Sequence, residues 1–334
     1  MQKNKNKILN RTVSLFTKKW CWVKILPFWL ILILLIVLAQ TAAFLYSQDT
    51  SKNDAVLPKV LGASANTPDF IRGNGEGTTK AISQIKNPDL SAVGAQSFLV
   101  FDLNSGQELL GKNPTQKLAI ASLTKLITAL TAYNNSNLNQ AFKISGKDTL
   151  NVKPNLGLAA GDEVRALDIF NSMLIGSCND AAKALAEFTS RSSGNDFVEL
   201  MNRQAAALGM QNSSFSNPMG FDSSGNYSTA EDLKLLITAT QQLSAFTDLG
   251  RRTDYTFTGT KGKTYFTIAT NSLIKDYPDI QAIKTGFTDE ANGAMATKIN
   301  IGDHQIVILV LDSQNREDDT LKLKAAVESN FAWE

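Results

Sequence analysis

Three short groups of residues in this chain have the types and spacing to do chemistry. Ser122 and Lys125 stand three residues apart at the head of an apolar run, Ala121-Ser122-Leu123-Thr124-Lys125-Leu126-Ile127. On a helix that spacing puts both side chains on one face. A lysine amine beside a serine hydroxyl is what a serine nucleophile needs when its base is not a histidine. Ser177 and Asn179 flank Cys178. Lys284-Thr285-Gly286 sets a cation and a hydroxyl beside a residue with no side chain.

For Lys125 to act as a base its amine must be neutral near pH 7, although a free lysine titrates at about 10.4. Burial and a second cation, Lys284, both shift it in that direction. A histidine-based triad would have to use His304, the chain's single histidine. His304 follows Gly302-Asp303 and precedes a strand-like run, which predicts a surface position in a hairpin turn. One histidine and scattered acids also argue against a zinc peptidase. No cofactor or metal is expected.

The surrounding pattern supplies elements to hold these groups. Gln96 to Asp102 and Gln107 to Leu110 read as strands joined by the turn Asn104-Ser105-Gly106. Leu123, Leu126, Ile127 and Leu130 recur at helical spacing behind Ser122. Helices are predicted over Val164–Ile175, Asp180–Phe188, Phe197–Leu208 and from Ser228 to Thr240. Strands return at Tyr255–Thr258, Thr264–Thr270, Ala282–Thr288, Ala294–Asn300 and Gln305–Leu311, and a helix over Thr320–Phe331 closes the chain. Strands at both ends with helices between predict an α/β chain of the α+β type. It would have one antiparallel sheet with flanking helices and an inserted helical lobe. A cleft between lobe and sheet is a natural active site.

Taken singly, each short motif is common. Taken together and in order, Ser-x-x-Lys, Ser-x-Asn and Lys-Thr-Gly form the set found in penicillin-binding proteins and class A β-lactamases. The wording around them narrows this further. Ala121–Thr128, Ser177-Cys-Asn-Asp-Ala-Ala182 and Ile283-Lys-Thr-Gly-Phe-Thr288 resemble the D-alanyl-D-alanine carboxypeptidase family of low-molecular-mass penicillin-binding proteins. So do Phe197-Val-Glu-Leu-Met-Asn202, Leu208-Gly-Met210, Phe215-Ser-Asn-Pro218, Ser228-Thr-Ala230 and Thr270-Asn-Ser-Leu273. The resemblance covers about residues 93–334. It implies a β-lactamase/transpeptidase-like fold. The substrate would be a peptidoglycan stem peptide ending in D-Ala-D-Ala, and β-lactams would be covalent inhibitors.

The chemistry assigns roles and the resemblance agrees. Ser122 attacks the carbonyl of the penultimate D-Ala, Lys125 takes its proton, Ser177 relays a proton to the leaving amine, and Asn179 holds the lysine and the substrate amide. Lys284 and Thr285 bind the terminal carboxylate, and Gly286 leaves room for a peptide along the strand. By analogy with relatives, the amides of Ser122 and Phe287 form the oxyanion hole. Two positions depart from the family pattern: Met219, where histidine is frequent, and Ala282, where glycine is usual. Neither carries a chemical step.

Other readings were weighed. D,D-endopeptidase action on cross-links uses the same motifs. A class A β-lactamase needs a Glu-x-x-x-Asn loop between the second and third motifs; Glu199-Leu-Met-Asn202 has the wrong spacing. A catalytically silent wall-binding module is disfavoured because all three motifs are intact.

The first 90 residues read differently. Residues 1–24 hold seven basic residues and no acid. Without them, 26 basic residues face 31 acidic ones, which argues against a nucleic-acid partner. Residues 25–47 are uncharged and apolar, long enough to cross a hydrocarbon core of about 30 Å. The reading is a cytoplasmic basic segment (1–24), an uncleaved transmembrane anchor (25–47), a flexible linker (48–90) and an extracytoplasmic catalytic domain (91–334) on the bacterial cell membrane. A cleaved signal peptide is the alternative. The two cysteines, Cys21 and Cys178, lie on opposite sides of that span, so no disulfide is expected.

Overall fold

The computed structural model describes residues 82–333. Its centre is a five-stranded antiparallel sheet in the order β3-β2-β10-β9-β8. The strands are β2 (Ser97–Asp102), β3 (Glu108–Lys112), β8 (Ile280–Thr288), β9 (Asn292–Ile301) and β10 (His304–Ser313). The first two come from one end of the chain and the last three from the other, as the element order predicts. Between β3 and β8 are helices α1 (Thr124–Asn135), α2 (Ala166–Gly176), α3 (Asn179–Ser193), α4 (Phe197–Ala207), α5 (Ala230–Gln241) and α6 (Ser244–Thr247). Two small ribbons lie in the same stretch: β4 (Ala141–Lys143) with β5 (Glu163–Arg165), and β6 (Asp254–Thr258) with β7 (Thr264–Ile268). A short helix α7 (Leu273–Asp276) leads into β8, and α8 (Arg316–Asn330) follows β10.

Alternation along the strands builds two cores, because successive side chains point to opposite faces. Leu99, Phe101, Val307, Leu309, Ala294 and Ala296 pack with the helical lobe. Phe98, Val100, Ile306, Ile308, Val310 and Met295 pack on the other side with Leu323 and Val327 of α8. β2 is buried at every position, so it reads as continuous apolar sequence.

Several boundaries differ from expectation. Val164 lies in β5, and α2 begins only at Ala166. α5 begins at Ala230, two residues after the expected start at Ser228, and Thr229 caps it by accepting from the Asp232 amide. α8 begins four residues early, at Arg316, where the Asn315 side chain caps a first turn of three acids. That turn is favourable to the helix dipole but has no apolar period to reveal it.

The linker expectation fails at its last residues. Ile82–Gln84 forms a strand, β1, paired with β11 (Phe331–Trp333) at the other end of the chain. The partner is some 250 positions away, and three residues are too few for a visible period. The expected segments at 1–24 and 25–47, and most of the linker, lie outside the described residues. Among the described residues no helix is long and apolar enough to cross a membrane.

His304 is also misplaced by the sequence reading. It does follow a two-residue turn, but it is 3 % exposed. The ring of Trp333 on β11 covers it, with centroids 5.6 Å apart. Its Nδ1 lies 3.6 Å from the buried Asp102 carboxylate, beyond hydrogen-bond length, and among the described residues neither ring nitrogen has a partner.

Candidate active site

The Ser122 motif straddles a change of backbone. Ala121–Leu123 is a turn of 3-10 helix and α1 starts at Thr124. Ala121 has a positive φ of 46°, a strained setting for a residue with a Cβ. The turn is wedged between two glycines. A Cβ on Gly220 (φ 85°) would come within 2.0 Å of the Ala121 carbonyl oxygen. A Cβ on Gly286 would sit 2.8 Å from the Ser122 amide nitrogen. Glycine at both positions is therefore what lets the loop, the Ser122 turn and the strand close together.

Lys125 projects from the first turn of α1 into the interior and is fully buried. Its Nζ lies 2.8 Å from Ser122 Oγ, 2.9 Å from Asn179 Oδ1 and 2.6 Å from the Met219 carbonyl oxygen. Each partner is itself fixed. Asn179 opens α3, and its Nδ2 donates to the carbonyls of Val152 (3.2 Å) and Lys153 (3.1 Å), which sets the amide with its oxygen toward the lysine. The Met219 carbonyl belongs to a loop gathered by Asn217, whose Oδ1 accepts from the amides of Met219, Gly220 and Phe221.

Ser177 ends α2 in the left-handed region, with φ 58°. That bend turns the chain directly into α3 and leaves the hydroxyl at the joint. Lys284 Nζ donates to Ser177 Oγ at 2.8 Å and to the Thr285 carbonyl at 2.9 Å. Lys284 owes its direction to a bulge. Ile280 and Ala282 belong to the α8 side of the sheet, and strict alternation would send Lys284 there too. The register slips between Ala282 and Lys284, and Lys284 then pairs with Ala296, whose side chain belongs to the lobe core. β8 is the edge strand of the sheet, so among the described residues no further strand pairs with the outer flank of the Lys-Thr-Gly segment. Phe287 follows with its side chain 66 % exposed.

The structure thus brings Ser122, Lys125, Ser177, Asn179, Lys284, Thr285 and Gly286 to one junction between lobe and sheet. Their protonation is set by burial. Lys125 is lowered to about 7, chiefly because the charged amine is buried. Lys284 is held well below the ordinary lysine range, first by burial and then by the charges of Lys125 and Arg316. Of the two causes expected for Lys125, burial is the one found; the charge of Lys284 is not among its causes, whereas the charge of Lys125 is among the causes that lower Lys284. Cys178 is a free, buried thiol pushed up to about 11, mainly by burial. A thiol so protonated is a packing group, not a nucleophile.

Sequence reasoning missed three groups. The Met219 carbonyl acts through the backbone, so no residue type marks it. Arg316 donates from Nη1 to the Gly286 carbonyl at 2.6 Å and so braces β8 from α8. The Thr270 hydroxyl stands 2.5 Å from that of Thr285. Only Thr270 lay in a stretch already singled out, Thr270-Asn-Ser-Leu273.

Comparison with known proteins agrees with this geometry. The sequence profile of the D-alanyl-D-alanine carboxypeptidase family, peptidase family S11, matches residues 82–315. The D-alanyl-D-alanine carboxypeptidase DacF of Bacillus subtilis is 29 % identical over 71 % of this chain and 62 % of its own length. The D-alanyl-D-alanine endopeptidase of Pseudomonas aeruginosa is 32 % identical over 65 % of this chain and 71 % of its own. This chain thus spans about 62 % of the length of the first of these relatives. Among solved structures, penicillin-binding protein D2 of Listeria monocytogenes in its cefotaxime-bound form superposes with a TM-score of 0.61 at 28 % identity, covering 73 % of this chain and all of that one. The Streptomyces K15 DD-transpeptidase shares the fold, with a TM-score of 0.67 at 24 % identity, over 73 % of this chain and all of its own. With the profile matched across the sheet, the lobe and all three motifs, the chain belongs to the D-alanyl-D-alanine carboxypeptidase family.

Proposed function

We propose that this protein is a serine-type D-alanyl-D-alanine carboxypeptidase that acts on peptidoglycan stem peptides through an acyl-enzyme on Ser122. The observation that carries the reading is the set of partners around Lys125 Nζ. A neutral amine has two N–H donors and one lone pair. The Asn179 and Met219 oxygens accept only, so they take the two N–H groups. The lone pair is left facing Ser122 Oγ, the one partner able to donate a proton. Burial that brings the amine to about 7 makes this neutral form available near neutral pH.

The steps follow. The Ser122 oxygen attacks the carbonyl carbon of the penultimate D-Ala as its proton passes to Lys125 Nζ. The developing oxyanion is met by the amides of Ser122 and Phe287. The C–N bond then breaks, and the terminal D-Ala amine leaves with a proton delivered from Lys125 by way of Ser177. Water attacks the ester, giving up its proton to the same base, and releases the shortened peptide. Lys284 and Thr285 receive the terminal carboxylate. An anion there favours the charged form of Lys284, against the burial that lowers it. The free edge of β8 offers the peptide a strand to pair with. The same acyl chemistry predicts covalent labelling by penicillin.

A second reading, endopeptidase cleavage of D-Ala cross-links, is favoured by the Pseudomonas relative, of which this chain spans the larger share. In both readings residues 25–47 anchor the catalytic unit on the outer face of the bacterial cell membrane, with residues 1–24 in the cytoplasm. The test is to incubate the full-length protein with a pentapeptide ending in D-Ala-D-Ala and, separately, with a cross-linked dimer. Free D-Ala from the first supports the carboxypeptidase. Monomer from the second alone supports the endopeptidase. Product from neither, by a folded protein, contradicts both.

A further inference from the structure

The hydroxyls of Thr270 and Thr285 lie 2.5 Å apart, and Thr285 carries the hydroxyl assigned to the substrate's carboxylate. Each is the other's only side-chain partner among the described residues. The two groups own two protons. One lies between the oxygens, and the second must go to a third group. The direction of the chain is decided by what stands at each end. The pair lines a cavity together with Lys284, Gln241, Arg252 and Asn271. Arg252 only donates, and Asn271 Nδ2 is a buried donor with no partner. Asn271 Oδ1 is already taken by the Leu273 amide at 3.0 Å. Lys284, beside Thr285 on the strand, lines the same cavity and supplies the cation of the proposed carboxylate site.

We infer that Thr270 is a positioning residue for carboxylate recognition: its hydroxyl donates to Thr285 Oγ1, so that the Thr285 proton is turned into the groove toward the terminal carboxylate of the substrate. This rests on the functional reading above and adds to it. A hydroxyl that accepts one hydrogen bond donates a stronger one, so the relay strengthens the contact as well as aiming it. The position suits the task. The Thr270 amide donates to the Ile175 carbonyl at 3.2 Å, two residues before Ser177. Thr270 thus ties the end of α2 to β8 and holds the carboxylate-binding strand against the Ser177 joint.

The test uses two thioesters of one N-acyl-D-Ala, identical except at the leaving group. One leaves as thioglycolate, which carries a carboxylate; the other leaves as ethanethiolate, which does not. In Thr270→Val, kcat/KM on the thioglycolate ester should fall about tenfold, mostly through KM, the worth of one hydrogen bond to a charged group. Turnover of the ethanethiol ester should be unchanged, and Thr270→Ser should restore the first. Adding Thr270→Val to Thr285→Val should cost nothing more. Equal losses on both esters mean that Thr270 is merely structural and overturn the inference, as does no loss on either. If Thr270→Val fails to fold, Thr270→Ser and Thr270→Ala on the two esters decide the same question. A wild-type protein that turns over neither ester overturns the parent function, and the inference with it.

Discussion

The two walls of the groove solve different problems with the same residue type. On the lobe side, all three directions around Lys125 Nζ are filled from within the protein. On the strand side, Lys284 uses two donors on Ser177 and on the Thr285 carbonyl, and among the described residues no strand pairs with the outer flank of β8. The lobe wall is complete before substrate arrives, which suits a proton transfer whose geometry must not change. The strand wall has unused capacity, which suits recognition. Both lysines are lowered by burial, yet the consequences diverge. Burial suits Lys125 to the proposed role of base, whereas at Lys284 an anion in the groove would oppose the lowering.

The contrast can be broken most severely at Lys125. Lys125→Met removes the proposed base while keeping a long apolar side chain, and acylation of Ser122 by a labelled penicillin should slow by about 10³-fold. Reversible binding of a D-Ala-D-Ala ligand, which uses the strand wall, should weaken far less. A matching loss of both would erase the division between the walls. Next comes Gly286→Ala. Its Cβ would press within 2.8 Å of the Ser122 amide and 2.9 Å of the Ala121 Cβ, so strand and nucleophile must part. Displacement on that scale should cost about 10² in kcat/KM. Both walls should suffer, since this is the point where they touch.

The smallest effect belongs to a buried polar group that serves neither wall. His304 is enclosed beneath Trp333 with no hydrogen bond at either nitrogen. His304→Leu should leave penicillin acylation within about twofold, because an unpartnered group loses no bond on replacement. Thermal unfolding should likewise shift little. A collapse of activity in this variant would show that the single histidine reaches the chemistry after all.

What the sequence disclosed, and what it hid, follows the range of the interactions. Ser122 and Lys125 were legible because one helical turn joins them. The sandwich of sheet and lobe was legible because alternation and 3.6-residue periods are local. The bulge before Lys284 was hidden: Ile283 looks like any strand residue, yet it decides which face the lysine takes. The β1–β11 clasp and the burial of His304 beneath it were hidden for the same reason, since each is made by residues more than 20 positions apart in the chain. The Met219 carbonyl was hidden because the site uses an atom that every residue has. The departure from histidine at that position leaves the contact with Lys125 intact.

The measurement that bears most directly on the central claim is the pH dependence of kcat/KM for the N-acyl-D-Ala ethanethiol ester, corrected for spontaneous hydrolysis. This substrate has no carboxylate, so the proposed anion contact of Lys284 is left out of the profile. A base lowered to about 7 predicts a rise with pH to a midpoint near 7, then a plateau. Below the midpoint the rate should drop tenfold per pH unit, as the amine becomes protonated and loses its lone pair. A rate still climbing toward the ordinary lysine range of about 10.4, or one indifferent to pH, would contradict the account of Lys125 as the base of Ser122.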